Sequence, residues 1–95
     1  MKSLVFGTHI KTLREKKGIP QRIVAHALNI DTSTLSKMEL GERQVTIAMV
    51  KPLSEVLEID FKDLQVTYIS EKVKTDFNQQ PYLKEALQLI INNIE

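Results

Sequence analysis

The sequence has no cysteine and no tryptophan, and only three glycines and three prolines in 95 residues. Without cysteine there can be neither a disulfide framework nor a thiolate zinc site. The two histidines, His9 and His26, stand seventeen positions apart and form no ligand cluster, so neither metal nor cofactor is expected. So few glycines leave no phosphate-cradling loop, and no Ser/His/Asp arrangement marks a nucleophile. Asp60 and Asp63 fit helix-start charges better than a catalytic pair. An enzyme is therefore not expected. No apolar run approaches the roughly 20 residues that span a bilayer, and the N-terminus lacks a signal-peptide core. The expectation is a soluble, cytoplasmic protein of one domain with a small appended element.

Charge is present in both signs but unevenly placed. The net charge is only +1, yet residues 1–51 hold nine Lys/Arg against four Asp/Glu, and residues 52–95 hold four against eight. A basic front half suits a face that meets phosphate, while the acidic back half faces water or a partner.

Apolar spacing predicts helices throughout, and hence an all-α fold. Phe6, Ile10 and Leu13 mark helix 1, with Lys16 and Lys17 at its negative end and Gly18 as its left-handed stop. Ile19 follows as a buried connector, and Pro20 opens helix 2, where a missing N–H costs nothing. Thr46 is expected to cap helix 4, which carries Ile47, Val50, Leu53 and Leu57 inward; Pro52 should bend or loosen it. Asp60 caps helix 5, whose inward residues are expected to be Phe61, Leu64, Tyr68, Val73 and Phe77. Whether helix 5 runs unbroken to Phe77 stays open, because Val66–Ile69 is β-favouring. Asn78–Pro81 breaks the chain. Beyond it Leu83, Ala86, Leu87, Ile90, Ile91 and Ile94 form the stripe of helix 6.

The stretch Gln21–Gly41, QRIVAHALNIDTSTLSKMELG, organises the rest. It predicts two short helices around a sharp turn. Val24, Leu28, Ile30, Leu35 and Met38 face inward, and Ala25 permits close approach. Asn29 tolerates the positive φ that the bend demands. Asp31 accepts from the free N–H groups of the next helix. That helix exposes Thr32, Ser33, Ser36 and Lys37, which suits a helix lying in a DNA groove.

Three stretches in order, IKTLREKKGIPQ, ALNIDTSTLSKMELG and VKPLSEVLEID, carry a wider likeness. From Phe6 to about Leu64 the chain resembles the five-helix DNA-binding domain of phage repressors and Cro-like (XRE-type) transcriptional regulators. The resemblance implies an all-α helix-turn-helix domain over 1–66 and a helical extension over 67–95. It implies that Gln21 clamps a DNA phosphate, and that Thr32, Ser33 and Lys37 read bases with Ser36 beside them. Thr34 would face inward or reach a phosphate, Arg43 would meet phosphate from the following loop, and Lys11 and Arg22 are weaker candidates of the same kind. Arg14 and Glu39 match a structural pair that ties the recognition helix to the scaffold. Pro20 stands where the family has Ser or Thr, Asn29 where it has glycine, and Pro52 is unusual in helix 4.

The function so implied is a sequence-specific double-stranded DNA-binding regulator, a repressor in the first instance, acting as a homodimer on a pseudo-palindrome. Family members pair around the positions of Glu58–Leu64, but the added segment is expected to dominate here, through Tyr68, Val73, Phe77, Leu83, Leu87, Ile90, Ile91 and Ile94. The alternative is an antitoxin or adaptor that binds DNA and grips a partner protein, such as a toxin, through the same helices.

Overall fold

The computed structural model describes residues 5–94, with side-chain surroundings described from Phe6 onward. Six α-helices follow one another: α1 (Val5–Lys16), α2 (Gln21–Ala27), α3 (Thr32–Glu39), α4 (Val50–Val56), α5 (Phe61–Phe77) and α6 (Leu83–Asn93), with a 3-10 turn at Ile47–Met49 before α4. The first four and the beginning of α5 enclose one core. Ile10, Val24, Leu35, Val50, Leu53, Leu57 and Leu64 are each at most 2% exposed. Burying such a side chain contributes about 1.5–3 kcal/mol, so these residues dominate the stability of the body.

Four of the helices end in the same way. The residue after the C-cap takes a left-handed conformation at Gly18, Asn29, Gly41 and Glu58. In each case the next N–H reaches back to the last turn: Ile19 to Arg14, Ile30 to Ala25, Glu42 to Lys37 and Ile59 to Ser54, at 2.8–3.0 Å. These are Schellman closures, which satisfy carbonyls that the helix itself leaves free. At three of the four the residue that follows is an isoleucine, and Ile19, Ile30 and Ile59 all pack against the core. The closures thus turn the chain sharply and anchor it at once.

Helix 4 differs from expectation for a reason that lies in Pro52. The proline falls in the first turn of α4, where an N–H would have no intrahelical partner, so no bend is needed. The residues before it tighten into the 3-10 turn instead. Thr46 consequently makes no side-chain cap, and Ile47 points to solvent at 54% exposure rather than into the core.

Helix 5 is one continuous helix of 17 residues, with the β-favouring Val66–Ile69 inside it. Asp60 caps it, accepting from the Asp63 N–H at 3.1 Å. Leu64 and Tyr68 are buried, but the expected inward row does not continue. Phe61 is 37% exposed and Phe77 51% exposed, while Val73 is half-buried. At about 100° per residue, Val73 and Phe77 lie roughly 140° and 180° around the helix from Tyr68. They belong to the opposite face. Phe61 sits at the margin, with the Lys51 ammonium 4.7 Å from its ring centre.

Helix 6 has no buried residue and no substantial packing contact with another helix. No described helix is long and apolar enough to cross a membrane.

Candidate nucleic-acid interface

The turn between α2 and α3 is fixed by local chemistry. Asn29, at φ 58, donates to His26 O at 3.0 Å, and Ile30 donates to Ala25 O at 3.0 Å. Asp31 then accepts from the Thr34 N–H at 2.7 Å and starts α3. Its carboxyl is held below the ordinary carboxylate range, first by that backbone bond and next by the Thr34 hydroxyl, with smaller contributions from Lys37 and Arg43. Val24 and Ala25 of α2 meet Leu35 of α3 in the core, all at most 2% exposed.

A buried polar frame holds α3 against α1. Arg14 Nε donates to Glu39 Oε2 at 2.7 Å, and Nη2 donates to Glu39 Oε1 at 3.0 Å. The third arm of the fork, Nη1, donates to Ile19 O at 3.0 Å. The side chains are 10% and 2% exposed, so this is a two-pronged pair away from water, the geometry in which arginine surpasses lysine. The hydrogen bond to Glu39 raises the already high Arg14 pKa further, so the guanidinium keeps its charge.

Gln21 joins this frame. Its Nε2 donates to Ser36 Oγ at 3.1 Å and to Glu39 Oε1 at 3.0 Å, and its Oε1 lies 3.3 Å from Ser36 Oγ. The two residues assigned to phosphate and to the reading face are therefore turned toward each other. Both are half-buried, and they brace α3 rather than project from it. The amide hydrogens of Gln21 have partners inside the protein, so a side-chain clamp on phosphate would require those bonds to break.

What projects from α3 is Thr32, Ser33 and Lys37, all exposed; Thr34 is half-buried beneath them. The loop after α3 brings a second cation to this face. Gly41, at φ 82, lets the chain reverse, so that the N–H groups of both Glu42 and Arg43 donate to Lys37 O, at 2.8 and 3.2 Å. Arg43 is thereby held by its backbone beside Lys37 and is exposed. The weaker candidates sit apart from that pair: Arg22 is exposed in the first turn of α2, and Lys11 is half-buried on α1.

Two features that position this surface are not apparent from motif spacing. Gly7, in the first turns of α1, lies so close to α3 that an added Cβ would come within 1.9 Å of Met38 O. Only glycine permits that approach. Tyr68 is the other. Its ring stands edge-on to Phe6 at 5.0 Å, and its hydroxyl donates to Val45 O at 2.8 Å, which fastens the loop that carries Arg43. At 8% exposure Tyr68 belongs to the core of its own chain and is corrected from the proposed dimer set. The remaining members of that set lie outside the core: Val73 and Leu83 half-buried, and Phe77, Leu87, Ile90, Ile91 and Ile94 exposed.

The likeness to known proteins falls on the same segment. Residues 10–64 match the helix-turn-helix family profile. An uncharacterised helix-turn-helix-type transcriptional regulator of Bacillus subtilis strain 168, YazB, is 33% identical over 64 residues, which cover 67% of this chain and 93% of that protein. The crystal structure of the restriction-modification controller protein C.AhdI from Aeromonas hydrophila superposes with a TM-score of 0.57 at 30% identity, covering 64% of this chain and 88% of the other. The matched span runs from α1 into α5 and contains the turn, the Arg14–Glu39 frame and the exposed face of α3. The chain therefore belongs to the helix-turn-helix family of repressor-like, DNA-binding transcriptional regulators.

Proposed function

We propose that this regulator recognises a specific double-stranded DNA sequence with α3 and acts as a homodimeric repressor on a pseudo-palindromic operator. One observation carries the reading: Thr32, Ser33 and Lys37 project from a helix whose inner side is locked to the scaffold through Glu39, with Arg43 folded in beside them. Lys37 can donate to guanine O6 or N7, and Thr32 can hydrogen-bond a base edge or place its methyl on thymine. Arg43 and Arg22 suit phosphate, whose neutralisation supplies affinity without sequence preference. Thr34 and Ser36 support the reading side chains from below.

Dimerisation is assigned to the extension, residues 67–95, through Val73, Phe77, Leu83, Leu87, Ile90, Ile91 and Ile94. One monomer covers only a few base pairs. Two copies related by a two-fold axis read half-sites about one helical turn apart. Such a dimer blocks a promoter by occupancy alone, so repression requires nothing beyond the bound protein.

Selection from a random duplex pool tests this directly. The expected product is a two-fold symmetric sequence. Lys37→Ala should lose discrimination at one position of each half-site by about 1–3 kcal/mol. Arg43→Ala should weaken all duplexes alike and lower the salt dependence by about one ion. A Lys37→Ala protein with unchanged preferences would remove Lys37 from the reading set.

A further inference from the structure

The chain carries two apolar stripes that its own core leaves uncovered. On α5, the face opposite Leu64 and Tyr68 carries Val66, Ile69, Val73 and Phe77, at steps of 3, 4 and 4. Val66, Ile69 and Phe77 are 56%, 45% and 51% exposed. On α6 the stripe is Leu83, Leu87, Ile90 and Ile91, continued past the helix end by Ile94, the last four 38–67% exposed.

The α5 stripe runs over 11 residue steps, about 16 Å at 1.5 Å per residue, and the helical part of the α6 stripe, Leu83 to Ile91, over 8, about 12 Å, with Ile94 just past the helix end; both have the 3/4 spacing of helices that pack lengthwise. They are comparable in length and spacing. Within one chain they make no substantial packing contact with each other. After Phe77 the chain turns through Asn78–Tyr82, where Gln79 and Tyr82 both adopt positive φ, and α6 leaves with no buried residue.

Resting on the homodimer reading above, we propose that the two copies exchange α6: the α6 stripe of each copy covers the outer α5 face of the other. Area favours this over a pair of like helices. With roughly 150–200 Å² for a fully exposed large apolar residue, the α5 face offers about 300 Å² and the α6 stripe about 400 Å². A standard stable interface buries about 800 Å² per partner. Pairing α6 with α6 would use half of that and leave the α5 face wet. Exchange uses both stripes of both chains and approaches the full value. Charge does not call for a different occupant: Lys84 and Glu85 are adjacent and opposite in sign, and they are the only charges within α6.

The absence of natural cysteine makes the test clean. Full-length Val73→Cys and Ile90→Cys chains, bearing different tags, are treated with a short bismaleimide separately and after co-expression. The expected result is a covalent pair in the mixture and little in either chain alone, with the doubly substituted chain linking between copies. Complementation adds a second readout on exposed positions that leaves the core intact. Ile69→Glu and Ile90→Glu chains should each dissociate, while their mixture recovers one of the two exchanged contacts and with it part of the dimer. Strong linking of Ile90→Cys to itself, or a link within one doubly substituted chain, would overturn the exchange. A dimeric mass with no α5–α6 link would sink the exchange but leave the homodimer standing. A monomeric mass at all concentrations, or stable dimer only with a foreign protein, would sink both.

Discussion

Helices α1 to α4 turn their apolar faces onto one another, whereas α6, with regular apolar spacing of its own, buries no residue and packs substantially on no other helix. Helix α5 belongs to both regions: Leu64 and Tyr68 close the core, and Val66, Ile69, Val73 and Phe77 look away from it. The difference teaches that a 3/4 repeat specifies a face but not its occupant. In the N-terminal region the occupant is the same chain, because Schellman closures at Gly18, Asn29, Gly41 and Glu58 return each helix to its neighbours. In the C-terminal region the turn at Asn78–Tyr82 leads into an α6 with no buried residue.

That contrast can be broken or sharpened by substitution, and the buried frame should respond most. Glu39→Ala strands the Arg14 guanidinium away from water and should cost about 3–5 kcal/mol in chemical denaturation. Glu85→Ala, the corresponding loss of a carboxylate on the solvated α6, should stay within about 0.5 kcal/mol. Equal effects would mean that the two regions are not packed so differently. Gly7→Ala comes next. Its methyl would collide with the Met38 carbonyl, so α1 must shift from α3 at about 1–3 kcal/mol, with DNA binding weakened alongside stability. An unchanged melting transition would show that α1 does not rest on α3 as described.

Smaller effects test the turns. Glu58 holds a left-handed conformation at φ 57 with a side chain that gains nothing from it. Glu58→Gly should therefore stabilise the chain by up to about 1 kcal/mol. Asp31 gives the smallest effect, and one of definite sign. Its folded pKa lies below the ordinary aspartate value because the Thr34 N–H and hydroxyl bond the carboxylate, so its cap contributes fully above that ordinary value. The contribution disappears as pH falls through the lower, folded value. Acid unfolding curves of Asp31→Asn should lack that component and converge with those of the natural chain at the acid end.

How much of this was legible in the sequence depends on how local the chemistry is. Asn29, Asp31 and Gly18 announce their roles because a left-handed turn and a helix cap are decided within a few residues. The core positions Ile10, Val24, Leu35, Leu53 and Leu64 follow from spacing for the same reason. Gly7 was silent, since the carbonyl it must approach is 31 positions away at Met38. Gln21 and Ser36 look like contact residues when each is considered alone, and only their meeting across the turn shows that they brace α3. Tyr68 and Phe77 share one helix pattern, yet one is core and the other surface. Which is which depends on where the body beneath α5 ends. Glu58 carries no sign of its positive φ, because the Schellman closure and Ile59 impose it from outside.

On the proposed function the exposed face of α3, and not the exposed stripe of α6, meets DNA. Amide hydrogen exchange of the full chain, with and without the duplex recovered from random selection, tests it most directly. New protection is expected in residues 31–43, around Thr32, Ser33, Lys37 and Arg43. Protection confined to residues 83–94, with residues 31–43 unchanged, would contradict it.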